Sequence, residues 1–214
     1  MAVRPFDLSV YLITDETLAG PRGVVETVRQ AVAGGVTLVQ LRDPVNKTRH
    51  LVETAAALMD LLRPLGIPLI INDRVDVALA VDADGVHVGQ SDMRPAKVRE
   101  LIGPDRILGL SVSRVSELVP EDIDVVDYLG VGPVYFTATK PNAPTPIGFE
   151  GVAAIRAATK LPIVVIGGVQ AKNGEAAIRS GGDGLAVVSA IMAADDPKAV
   201  ASELAAVVAA AKSG

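Results

Sequence analysis

The chain of 214 residues has no cysteine and no tryptophan, and only three phenylalanines and three tyrosines. Without thiols there are no disulfides, no thiolate metal sites and no cysteine nucleophile, a composition that suits a reducing compartment. No apolar run approaches the roughly 18 residues needed to span a bilayer. The opening MAVRPFDLSVYLITD lacks the basic-then-apolar pattern of a signal peptide, so no membrane and a cytoplasmic location are the expectations. Few aromatics and a formal charge of −5 leave neither stacking platforms nor a broad basic face, which argues against a nucleic-acid partner. An anionic ligand would have to be drawn by a few local Arg and Lys residues against the overall field.

Half of the residues are hydrophobic, enough for one substantial core, and the expectation is one domain over residues 1–214. Runs rich in β-branched residues alternate with alanine-rich amphipathic stretches throughout, the pattern of βαβ units. Strands are expected near Ser9 to Thr14, Val36 to Leu41, Ile67 to Ile71, Gly85 to Val88, Ile107 to Ser111, Val125 to Val131, Pro162 to Ile166 and Gly184 to Val188. Runs such as PLII and PIVVI are apolar without alternation, as expected for strands covered on both faces. Gly34 and Gly66 are expected to act as left-handed helix stops.

A weak repeat, AGGVTLVQ, ADGVHVGQ and GGDGLAVVS, aligns Gly35, Gly85 and Gly184 at about two and four βα units, taking roughly 25 residues per unit. The fold class predicted is therefore α/β, a single (β/α)8 TIM barrel. The competing open doubly wound sheet lacks its GxGxxG strand–helix turn. Gly132 to Gly148, GPVYFTATKPNAPTPIG, has no periodicity and reads as a functional loop after the sixth strand.

In such a barrel the chemistry sits at the C-terminal ends of the strands. The polar residues there are Gln40 and Arg42, Asn72 and Asp73, Asp92, Ser111, then Thr137, Thr139 and Lys140 in the long loop, and finally Gly168 and Ser189. Asp73 and Asp92 could share a hard cation such as Mg²⁺, or could simply cap the helices that follow them. Arg42 and Lys140 suit phosphate oxygens, whereas Arg29, Arg99 and Lys160 read as solvated surface groups. IGGV and VVSA offer backbone N–H groups where many barrels bind phosphate. Of the two histidines, His50 reads as exposed on a helix and His87 as a satisfied interior residue. No Ser/His/Asp arrangement is visible, which disfavours covalent catalysis.

Taken together, VQLRDP, IINDRVDVALAVDADGVHVGQSDM, LGLSVS, YLGVGPVYFTATKPNAPTPIG, VIGGV and GLAVVSAI resemble the thiamine-phosphate synthase family, from about Tyr11 to Ile191. The NDRxDxA and GVHxGQxD pair with the GPxxxTxTK loop carries the specificity. GG and VVS do not.

The resemblance implies a Mg²⁺-assisted transferase that joins a pyrimidine diphosphate to a thiazole phosphate and releases pyrophosphate by a dissociative displacement. It implies that Gln40, Arg42, Asn72, Ser111 and Lys140 contact the pyrimidine diphosphate, with Arg42, Ser111 and Lys140 catalytic. Asp73 and Asp92 would hold Mg²⁺, and Thr137, Thr139, Gly168, Val188 and Ser189 the thiazole phosphate. Relatives commonly carry a lysine where this chain has Pro44, and Lys47 is expected to replace it. A thiazole tautomerase of the same superfamily and a non-catalytic phosphate-binding barrel are the rival readings. A homo-oligomer is compatible with a small barrel, but no interface signal decides it.

Overall fold

A computed structural model describes residues 5–136 and 145–213. The strands β1 (Val10–Ile13), β2 (Leu38–Leu41), β3 (Leu69–Asn72), β4 (Gly85–Val88), β5 (Ile107–Val112), β6 (Tyr128–Val131), β7 (Ile163–Val165) and β8 (Gly184–Val187) are all parallel and close in sequence order into a barrel. Pairing of Val10 with Leu185 joins the last strand to the first. The expected (β/α)8 barrel is what forms.

Helices α1 (Glu16–Ala19), α2 (Val24–Ala33), α3 (Thr48–Leu62), α4 (Val75–Ala80), α5 (Pro95–Ile102), α6 (Pro120–Ile123), α7 (Gly148–Ala158), α8 (Ala171–Arg179), α9 (Ser189–Met192) and α10 (Pro197–Ser213) complete the βα units. Their apolar stripes face the strands: α2 buries Val24, Thr27, Val28 and Ala31, a helical spacing that leaves the opposite side to solvent. No helix among the described residues is long and apolar enough to cross a membrane.

Strand alternation splits the core in two. Outward residues such as Val10, Leu12, Val39, Leu69 and Ile71 pack beneath the helices. Inward residues Tyr11, Ile13, Leu38, Ile70, Ile107, Tyr128, Val164 and Ala186 fill the barrel itself. Each fully buried Leu or Ile contributes about 1.5–3 kcal/mol. The interior also contains polar groups, Gln40 and His87.

β2 and β6 begin later than the sequence suggests because the residue before each is a clamp, a device repeated before β4 and β8, which begin where expected. Thr37, Asp84, Asp127 and Asp183 each stand directly before β2, β4, β6 and β8 and grip one residue of the preceding strand at two points. Their side chains accept from the backbone N–H of Val10, Leu69, Leu108 and Ile163 at 2.7–3.0 Å. Their own N–H groups donate to the carbonyls of those same residues at 2.7–3.0 Å. The true internal repeat is this clamp. Thr37 matches Asp84, so Gly35 is not the equivalent of Gly85: Gly35 lies before β2, at φ 109°, and turns the chain after α2.

Two other expectations are corrected. Gly66 is left-handed, but Gly34 is not, with φ −95°. A side chain at Gly34 would collide with the Lys198 carbonyl, so glycine there permits close approach of α10 to α2. Arg99 is not a solvated surface group. It bonds Asp127 at 2.7 Å and the carbonyls of Gly103, Arg106 and Val125, locking α5 to the base of β6.

Candidate active site

A cavity of about 620 Å³ opens at the C-terminal ends of the strands. Apart from Lys47, every described residue proposed from sequence lines it: Gln40 from β2 and Arg42 just beyond it, Asn72 from β3 and Asp73 just beyond it, Asp92 beyond β4, Ser111 from β5, Gly168 beyond β7, and Val188 and Ser189 beyond β8. Thr137, Thr139 and Lys140 lie outside the described residues.

Local structure explains how each side chain gets there. Arg42 follows β2, and its backbone is tied to the end of β1 by the fully buried Thr14: Thr14 Oγ1 accepts from the Arg42 N–H at 3.0 Å and donates to the Arg42 carbonyl at 3.3 Å. Asp73 has φ 59°, a left-handed conformation that aspartate tolerates better than most residues. Its N–H donates to the His87 carbonyl at 2.8 Å, and Asn72 Nδ2 donates to its carboxylate at 2.7 Å.

Neither aspartate occupies the N-cap position of the helix that follows it. The residue before α4 is Arg74 and that before α5 is Arg94, neither with a side-chain capping bond. Asp92 instead accepts from the Gly89 N–H at 2.8 Å, folding the segment after β4 back over the strand end. Gly167 and Gly168 take φ 96° and 71°, and a side chain at either would collide with Pro133 or Tyr135, so backbone forms this part of the wall.

Beneath the cavity floor a hydrogen-bonded chain crosses the barrel. Gln40 Nε2 donates to Tyr11 Oη at 2.7 Å, and Tyr11 Oη lies 2.7 Å from Tyr128 Oη. Tyr128 Oη in turn lies 2.9 Å from His87 Nδ1, and His87 Nε2 lies 2.8 Å from Ser111 Oγ. Burial pushes both phenols well above the usual tyrosine range, so each stays an O–H group. Room for the Tyr128 and His87 rings comes from Gly109, where a Cβ would overlap both. The rings of Tyr11 and Tyr128 meet edge to face at 5.8 Å between centroids.

His87 is thus the satisfied interior residue expected, but it also lines the cavity, as do Gln90, Arg114 and Glu117. Gln90 Nε2 donates to the Ser111 carbonyl at 2.8 Å, and Arg114 pairs with Glu117 at 2.8 Å. Sequence reasoning passed over Tyr11 and Tyr128, although strand alternation places both on the inward face. Lys47, expected to replace the lysine missing at Pro44, is exposed, precedes α3 and does not line the cavity. His50 is exposed on α3, as expected.

Two carboxylates, Asp73 and Asp92, share the cavity wall and could hold a cation. Elsewhere among the described residues, Glu16, Asp43 and His50 bring ligand atoms within 4.8 Å of one another. Both Asp43 oxygens there already accept bonds from Val45 and Asn46, and none of the three residues lines the cavity.

The family model described as thiamine monophosphate synthase matches residues 10–191. A thiamine-phosphate synthase of Azorhizobium caulinodans is 57% identical over 192 residues, covering 90% of this chain and 91% of the relative. One of Xanthobacter autotrophicus is 57% identical over 209 residues, covering 98% and 99%. The solved thiamine phosphate pyrophosphorylase of Pyrococcus furiosus superposes with a TM-score of 0.85 at 39% identity, covering 95% of this chain and 96% of that one. A 3-hexulose-6-phosphate synthase, at 17% identity and a TM-score of 0.70, shares the fold.

Proposed function

Because this chain belongs to the thiamine monophosphate synthase family, we propose that it joins 4-amino-2-methyl-5-hydroxymethylpyrimidine diphosphate to 4-methyl-5-(2-phosphoethyl)thiazole and releases pyrophosphate. It is a transferase. One observation carries the detailed reading: side chains from β2, β3, β5 and the segments after β4, β7 and β8 meet in a single cavity of about 620 Å³, large enough for two small substrates.

In this reading Gln40, Asn72 and Ser111 bind the pyrimidine and Arg42 and Lys140 its diphosphate. Gly168, Val188 and Ser189, with Thr137 and Thr139, bind the thiazole phosphate. Arg42 and Lys140 act on charge that grows on the departing diphosphate, so they stabilise the transition state more than the substrate. Positive charge left on the pyrimidine methylene is delocalised by the amino group, and the thiazole nitrogen captures it. The protein need not remove a proton. Its work is to align two anions, hold the leaving group and keep water from the cation.

Asp73 and Asp92 fit Mg²⁺, a hard cation that is commonly held by one or two carboxylates together with substrate phosphate oxygens. Gly89 already donates to one Asp92 oxygen, which orients the carboxylate for such a role. When bound, Mg²⁺ would neutralise charge on the diphosphate.

The test is pyrophosphate release and thiamine phosphate formation by purified protein given both substrates, with Mg²⁺ or with EDTA, alongside Asp92→Ala. Product is expected to require both substrates and metal, and the variant to lose most turnover. No product from folded protein would overturn this reading.

A further inference from the structure

The chain of hydrogen bonds under the cavity has a direction. Tyr11 Oη accepts from the Gln40 amide, and its own single proton has one remaining described acceptor, Tyr128 Oη. Tyr128, having accepted that bond, turns its proton to His87 Nδ1. A ring whose Nδ1 accepts, when neutral, carries its proton on Nε2, and that N–H points at Ser111 Oγ. Ser111 Oγ accepts this bond, so its own proton is left for a ligand. At the other end, Gln40 Nε2 is turned down into the core, which leaves Oε1 as the amide's acceptor for a ligand in the cavity.

We propose that Tyr11, Tyr128 and His87 are positioning residues that set opposite hydrogen-bonding polarities at two points of the cavity, an acceptor at Gln40 Oε1 and a donor at Ser111 Oγ. The ligand selected is a planar heteroaromatic ring that offers an amino N–H to Gln40 and a lone pair to Ser111. This rests on the reading in which both residues bind the pyrimidine. A ring with a carbonyl in place of the amino group would face the Gln40 oxygen with its own and leave buried polar groups unmatched, which disfavours it strongly.

The geometry makes the device rigid. Tyr11, Tyr128 and Gln40 are 0–2% exposed, and the Tyr128 ring is wedged between Phe6, Tyr11 and His87 at centroid distances of 5.5–5.8 Å. Reversing the chain would require the Gln40 amide to turn over and His87 to move its proton to Nδ1. The imidazole tautomer therefore reports the polarity of the whole chain.

The experiment is ¹⁵N NMR of the ligand-free protein carrying His50→Gln, which leaves His87 as the only imidazole. A proton on Nε2 and none on Nδ1 is expected. A proton on Nδ1, alone or in an imidazolium at neutral pH, would overturn the proposal whether or not the protein turns over substrate.

A second arm compares Tyr128→Phe, Ser111→Ala and the double variant, with folding checked by thermal melting. Tyr128→Phe keeps the ring and deletes the donor. It should mix the two tautomers and raise KM for the pyrimidine diphosphate by about three- to tenfold, the loss of roughly one neutral hydrogen bond, with kcat changed less. The double variant should lose less than the sum of the two single losses, because Tyr128 acts in part through Ser111, the remainder passing through Tyr11 to Gln40. Fully additive losses would mean that Tyr128 does not act through Ser111, and would overturn the proposal that one chain sets both polarities. Absence of turnover in the unsubstituted protein would strike the proposed reaction and leave the tautomer measurement to decide the polarity.

Discussion

Thr14 and Arg42 hold one another by two hydrogen bonds, the Arg42 N–H donating to Thr14 Oγ1 and Thr14 Oγ1 donating to the Arg42 carbonyl. Thr14 touches the proposed diphosphate site only through the position it gives to Arg42. Thr14→Val keeps the shape and removes both bonds. Stability should fall by about 1–2 kcal/mol, and KM for the pyrimidine diphosphate should rise by about three- to tenfold with kcat less affected. Steady-state kinetics on the folded variant separates this from a general loss of activity.

Gly109 makes room for two rings. Gly109→Ala would place a methyl group into Tyr128 and His87, and such overpacking costs typically about 1–3 kcal/mol. Urea unfolding should show a lower midpoint with an unchanged slope, since the unfolded state is little altered. An unchanged midpoint would mean that the barrel interior expands freely at this point.

The buried phenols give the alkaline limb of stability its sign. Tyr11 and Tyr128 have folded pKa values raised by burial, whereas in the unfolded chain they ionise near pH 10. Their contribution is fully present below about pH 10 and is lost as pH rises above it, because the unfolded state then releases protons that the folded state retains. Absorbance titration of phenolate should show two of the three tyrosines ionising only as the protein unfolds. Early ionisation of all three would contradict a closed interior.

Asp84 bonds the Leu69 N–H at the end of the barrel away from the cavity. Asp84→Ala should cost about 1–3 kcal/mol by leaving a partly buried N–H unmatched, while KM and kcat stay near those of the unsubstituted protein. Chemical denaturation and kinetics together test whether the two ends of the barrel are independent.

Lys47 stands off the cavity wall, so Lys47→Ala should leave KM for the pyrimidine diphosphate unchanged within about twofold, the scatter expected of a surface substitution. A tenfold rise would show that its flexible side chain reaches the diphosphate after all.

Much of this was legible because two simple periods run through the chain. Alternation along the strands and helical spacing between them define the eight βα units, and polar residues past the strand ends mark the cavity. Gln40, Arg42, Asn72, Asp73, Asp92, Ser111, Gly168, Val188 and Ser189 all line it. What pattern could not show was partnership. Arg99 reads as an ordinary surface arginine until Asp127 is placed beside it from the next unit. Tyr11 and Tyr128 are far apart in sequence and become a pair only when the barrel closes. The clamps were half visible, as the DG of two repeats, but hydrophobic similarity aligned Gly35 rather than Thr37 with them.

Each of those four clamps joins one strand to its immediate successor, so the barrel is coopered from four two-strand staves whose fastenings are local in the chain. Pairing of Val10 with Leu185 is different, since it spans nearly the whole sequence. The entropic cost of closing that contact grows only slowly with length, but nothing local can offset it in advance. The hoop is therefore drawn tight at one seam, between the first strand and the last.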